Sequence, residues 1–248
     1  MQKWNEWALH TGADILFSSG IKIHQPTLKE LSEELSEDEF IKSLHLLLLS
    51  KDDIKSNDPR IQNLSNFELF LGTLANPQMQ QEDLQNVEKL IQLIFRPNKV
   101  IFSNIGIYVS NTEQTTYLNI DKTNFDDLQF IVQKIFCGNK LLNKEQDQYN
   151  VVGEKAKEIA EKLKQRHQKL AELQSKENDG KSIFGNYASI LSVGLKMPIS
   201  VINNEFTLFQ LLIEMERFSL YTEWNIDLKC RLAGGSPDKT PENWMKNI

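Results

Sequence analysis

Residues 207–235 read TLFQLLIEMERFSLYTEWNIDLKCRLAGG, and their pattern predicts one long helix. Thr207 followed by Gln210 is a capping-box pair, in which each side chain satisfies a backbone N–H left without a partner at a helix start. Leu208, Leu211, Leu212, Met215, Phe218, Tyr221, Leu228 and Leu232 recur at helical spacings and are expected to form one broad apolar stripe. Lys229 and Arg231 suit the negative end of the helix dipole, and Gly234, Gly235 and Pro237 supply the stop. At about 1.5 Å per residue such a helix spans roughly 40 Å, more than a small C-terminal core requires. Leu208, Leu211, Leu212, Met215, Phe218, Tyr221, Trp224 and Leu228 are therefore the candidate partner-binding residues.

Working outward, residues 183–195 read as a helix with small residues interleaved, and Pro198 opens a short helix over 199–202. These segments make 182–248 an all-helical C-terminal domain. Before it, 146–181 is a charged connecting helix and linker. Ala156, Ile159, Leu163, Leu170 and Leu173 fall on a heptad seam interrupted by Arg166, a pattern compatible with self-association through 154–173. SKENDGK at 175–181 reads as flexible linker.

Residues 1–145 have a mixed character. Residues 9–17 fit either a short helix or a strand, and Ile21-Lys22-Ile23 alternates as a strand does. Capping-box patterns recur at Thr27/Glu30, Ser36/Glu39 and Ser65/Glu68, each opening a helix with a periodic apolar face. A further helix is expected over 84–95, ended by Pro97. The period then changes to two at residues 100–102, 105–109 and 115–120, where β-branched and aromatic residues predict an antiparallel unit. Asn124 is expected to cap the following helix, with Phe125, Leu128, Ile131, Val132, Ile135 and Phe136 as its apolar face. The fold class is α+β, mainly α, with a small antiparallel sheet.

Composition narrows the function classes. The chain has 248 residues, 25% charged and 40% hydrophobic, with a net charge of −6. That balance suits a soluble globular protein and disfavours general binding to nucleic acid or anionic membranes. The longest uninterrupted apolar run is 46–49, far below the roughly 20 residues of a membrane span, and MQKWNEWALH lacks a signal-peptide apolar region. Cys137 and Cys230 lie far apart and read as reduced thiols.

No catalytic or cofactor signature emerges. His10, His24, His45 and His167 have no second ligand at metal-site spacing. His24, before Pro26 and a capped helix, reads as a turn-holding residue, His45 as a core histidine, and His167 as solvated. Asp52-Asp53 and Asp126-Asp127 are sequence neighbours, which do not face one another on a helix, so cap and first-turn roles explain them. Nucleophile elbow, phosphate loop and dinucleotide fingerprint are missing, and no cofactor or metal is expected. Residues 183–220 can be drawn as helix–turn–helix, but a recognition helix built of leucines with Glu214 and Glu216 would repel phosphate.

Two stretches carry a resemblance. Ile21, Ile23, Gln25, Pro26, Thr27, Leu28, Lys29, Glu30 and Leu31 match the form I-x-I-x-Q-P-T-[IL]-K-E-[IL], found near the start of tail-region proteins of long-tailed bacteriophages of Gram-positive hosts. FTLFQL at 206–211, followed by an acidic–aromatic helix and KCRLAGG, is similar to the C-terminal ending of tail assembly chaperone-like phage proteins, although Phe206 stands at that form's first leucine. The resemblance covers about a third of the chain. It implies a non-enzymatic protein of the host cytoplasm that binds tail proteins, such as the tape measure, tail tube or baseplate, as chaperone or scaffold. A structural tail or baseplate component is the alternative, followed by an enzyme whose site assembles only in the fold.

Overall fold

A computed structural model describes residues 6–18, 20–51, 53–54, 63–76, 80–103, 106–110, 117–141, 182–234 and 245. The expected charged helix and seam at 154–173, with His167 and the linker, lie outside these residues.

The chain opens with helix α1 (Trp7–Thr11), closed by Gly12 in the left-handed conformation, and a short antiparallel hairpin of β1 (Ile15–Ser18) and β2 (Ile21–Ile23). The ambiguous start is thus a helix followed by a strand. Helices α2 (Leu28–Glu34), α3 (Glu37–Leu47), α4 (Asn66–Leu74) and α5 (Gln81–Ile94) follow. Capping boxes at Thr27, Ser36 and Ser65 are fully formed, each with the reciprocal glutamate bond. These reciprocal bonds fix where α2, α3 and α4 begin, because each satisfies N–H groups that the helix itself cannot. After α5 the peptide Arg96–Pro97 is cis.

A three-stranded antiparallel sheet comes next, in the order β3 (Lys99–Ser103), β4 (Gly106–Ser110), β5 (Tyr117–Ile120). Pairing of Val100 with Val109 and Leu118, and of Phe102 with Ile107 and Ile120, puts these six side chains on one face. Helix α6 (Phe125–Ile135) and the short α7 (Gly138–Leu141) complete this part. Phe125 lies against Phe67 and Phe70, with ring centroids 5.3 and 5.1 Å apart. Asn124 is no side-chain cap. Its Oδ1 accepts from Asp121 N and its Nδ2 donates to Asn119 O, so the amide is spent on the end of β5. Gln129, buried in α6, donates to Leu47 O and Leu49 O and ties α6 to the end of α3.

Helices α8 (Ile183–Leu195), α9 (Ile199–Glu205) and α10 (Leu208–Leu232) form the C-terminal part. Ala188, Leu191, Ile202, Leu208, Leu211 and Ile213 belong to the same hydrophobic cluster as Leu9, Leu31, Leu44, Leu90, Ile107 and Val132. The segments on either side of 142–181 therefore share one core. Ser182 caps α8, and Glu37 of α3 reaches across to the same end. Its carboxylate accepts from Ser182 Oγ, Ile183 N and Phe184 N at 2.6, 3.0 and 3.3 Å, where a negative charge is favoured. His45 is exposed. Leu44, Leu47 and Leu48 take the core positions of α3, and one residue beyond Leu44 the helix has already turned by about 100°.

Candidate protein-binding surface

The two stretches that carry the phage resemblance meet in space. Thr27 and Thr207 form an antiparallel bridge, and Leu28 N donates to Phe206 O at 3.0 Å. The capping boxes of α2 and α10 thus stand side by side, Thr27 with Glu30 and Thr207 with Gln210. Gln25, buried, donates through Nε2 to Ala8 O and Ala13 O, while Gln210 Nε2 donates to His10 O at 2.8 Å. Both amides hold α1 against the joint. Burial would push the Glu30 carboxyl up, but the Thr27 N–H and hydroxyl, together with His24, outweigh it and hold the group below the ordinary carboxylate range.

His24 sits between two carboxylates, with Nδ1 3.0 Å from Asp14 Oδ1 and Nε2 3.3 Å from both oxygens of Glu30. This is the gathering of histidine and carboxylate that an active site would need. Yet one of the two carboxylates, Glu30, is the capping-box partner of Thr27, and neither His24 nor Asp14 lines the groove beside α5 and β3 or the groove between α2 and α8. Among the described residues no group of three or more His, Cys, Asp or Glu is placed to hold a metal ion. Asp53 accepts from Ser50 N and Oγ, a local tie, while Asp126, in the first turn of α6, accepts from Asn66 Nδ2 of α4, 60 positions away.

From this joint α10 runs outward, and its two halves differ. Leu208 and Leu211 have no accessible surface, Phe209 and Ile213 are buried, and Leu212, Met215 and Phe218 pack against the core. At about 100° per residue, Gln210, Glu214 and Arg217 lie on the remaining face. Tyr221, Trp224, Leu228 and Leu232 continue that same ladder of three- and four-residue steps. The expected single stripe is therefore two stripes. One faces the core as far as Phe218. The other begins at Tyr221 on the side that is polar in the first half. Tyr221 is 42% exposed, Leu228 38% and Leu232 79%, and Trp224 is half-buried. The Tyr221 and Trp224 rings stack at 6.4 Å and 24°, and Arg231 pairs with Asp227 at 2.7 Å.

Of the eight candidate residues, Leu208 and Leu211 are core, Leu212, Met215 and Phe218 are half-buried, and Tyr221, Trp224 and Leu228 lie on the outer stripe. Sequence reading passed over Ile183, Ile190, Val193, Leu195 and Ile199, all exposed on α8 and α9. A run of apolar residues broken by Gly and Ser looks like a buried helix, and only the packing of Ala188 and Leu191 reveals which side is outside. A Cβ on Gly194 would lie 2.3 Å from Phe218 Cε2, so Val193 and Leu195 flank the point at which α10 leaves the core. No helix among the described residues is long and apolar enough to cross a membrane. The chain matches no protein-family model, no curated protein and no solved structure.

Proposed function

We propose that the protein is a non-enzymatic, protein-binding factor of bacteriophage tail assembly, a chaperone or scaffold for the tape-measure or tail-tube protein in the host cytoplasm. The observation that carries this reading is the exposure of Leu228 and Leu232 on the outer stripe of α10, beyond the part of the helix that packs on the core. Apolar helix faces recognise amphipathic helices by laying one against the other, and a contiguous exposed apolar patch is the usual mark of such a surface. The joint at Thr27 and Thr207 gives the resemblance a physical meaning, because its residues build the anchor from which that face projects.

Co-expression with the tape-measure or tail-tube protein is expected to yield a complex that Leu228→Asp abolishes without unfolding the chain. Purified virions are expected to lack the chain. Its stoichiometric presence there would replace the chaperone reading with a structural tail or baseplate role. Failure of both tail proteins to bind would overturn the proposal.

A further inference from the structure

We propose that the outer edge of β3 is a second recognition surface, which takes an extended peptide segment of a partner as an added strand. It is separate from the α10 face and does not depend on the tail-assembly reading.

Strand β3 lies at one end of the order β3-β4-β5, so one of its edges has no neighbouring strand among the described residues. The direction of its peptide groups follows from the register. Ser103 opposite Gly106 closes the β3–β4 hairpin, and opposed residues in an antiparallel pair alternate between exchanging both backbone bonds and exchanging none. Val100 N–H is bonded to the Gln92 side chain at 3.1 Å, which places Val100 and Phe102 in the non-bonded pairs. Their N–H and C=O groups point outward, away from β4.

Gln92 of α5 shows what that edge accepts. Its Oε1 takes the Val100 N–H, and its Nε2 donates to Asn98 O at 2.8 Å. A carbonyl and an N–H on either side of Lys99 are thus bound by one amide. In a parallel ladder the C=O and N–H of a neighbouring strand would fill that place. The side chain occupies the first position of the ladder, and the next position is offered by Val100 C=O and Phe102 N–H.

A groove of about 370 Å³ adjoins this edge, lined by Val100, Phe102, Leu93, Gln92 and the α5 side chains Glu88 and Lys89 among others. Val100 and Phe102 are half-buried, although Ile107 and Val109 opposite them are fully buried. The inner face of the sheet is therefore incompletely covered along β3. An added strand would put alternate side chains into the groove and the others beside exposed Ile101. The matching ligand is an extended segment with an apolar residue at every second position. Main-chain bonds give such binding its affinity and the groove its selectivity.

The probe is a short synthetic peptide alternating valine with threonine between terminal lysines, titrated into the full chain while backbone amide exchange is followed. Saturable binding that slows exchange at Phe102 N–H by roughly tenfold, the effect of gaining one or two hydrogen bonds, is expected. Two counterparts N-methylated at every valine or at every threonine separate strand addition from apolar adhesion, since an edge strand uses the amides of one side only. One of them should lose affinity by roughly tenfold. Phe102→Pro, which removes the outward N–H without touching the bonds to β4, should abolish binding if the variant folds. Absence of saturable binding, or equal binding of both methylated peptides, would overturn the proposal. Concentration-dependent protection of Phe102 without peptide would overturn it in favour of pairing between two copies of the chain.

Discussion

The first and second halves of α10 are one continuous helix with opposite surroundings. From Leu208 to Phe218 almost every side of the helix is covered, and its polar residues are Glu216 and the line through Gln210, Glu214 and Arg217. Beyond Phe218 no residue of the helix belongs to the hydrophobic cluster of the core, and the same line becomes apolar. The first half is richer in apolar residues, seven of eleven over 208–218 against six of twelve over 221–232, but composition does not say where the core ends. What differs is the azimuth of the apolar residues relative to a core that stops at Phe218. A helix can therefore be a scaffold at one end and a surface at the other without a break in its backbone.

The contrast is tested most sharply by placing a charge in each half. Leu211→Asp should lower the unfolding free energy by about 3–5 kcal/mol, because the carboxylate would be buried without a partner. Denaturant titration measures it, and a loss below about 1 kcal/mol would put Leu211 on the surface. Thr207→Ala removes the cap and should cost about 1 kcal/mol. If Thr207 and Thr27 work as one joint, the double alanine variant should depart from the sum of the single effects, as coupled neighbours do. At the border of the halves, Gly194→Ala should lose about 1 kcal/mol net. Displacing the Phe218 ring costs about 1–3 kcal/mol, and alanine returns about 1 kcal/mol of helix propensity. Phe218→Leu in the same chain should remove the penalty.

A fourth experiment uses pH. The folded Glu30 carboxyl titrates below its unfolded value, so the folded state binds fewer protons through that window and stability rises with pH there. The contribution is fully present above the ordinary glutamate value of about 4.3 and is lost as pH falls through the lowered folded value. Glu30→Gln keeps an acceptor for Thr27 and should flatten this acid limb, read as melting temperature against pH. The smallest effect belongs to the outer stripe. Leu228→Asp should change stability by about 0.5 kcal/mol or less, as exposed substitutions do, while removing tail-protein binding. A large loss of stability would show that the second half of α10 is covered like the first.

Much of this fold is legible in the sequence because its helix starts are written locally. Thr27, Ser36, Ser65 and Thr207 each carry a glutamate or glutamine three residues on, and every box forms. The change of period after Pro97 likewise marks the sheet. Asn124 misleads because an amide can serve either the helix it precedes or the strand it follows, and only tertiary geometry chooses. His45 misleads because a leucine-rich run hides which of its members faces outward. The division of α10 is illegible for a related reason: spacing reports that a helix is amphipathic, but where the core ends depends on α8 and on the first helix of the chain. The joint between 21–31 and 206–211 rests on a pairing of segments far apart in sequence, a contact that local patterns do not encode.

The bonds from Glu37 to the first turn of α8 join residues 145 positions apart, and they fix Ser182 onto the same body that holds Leu141. Backbone continuity between these two anchors is then not what keeps the C-terminal helices in place. The protein should behave as a split pair. A piece ending just after Leu141 and a piece beginning just before Ser182, produced together, should reassemble and co-purify.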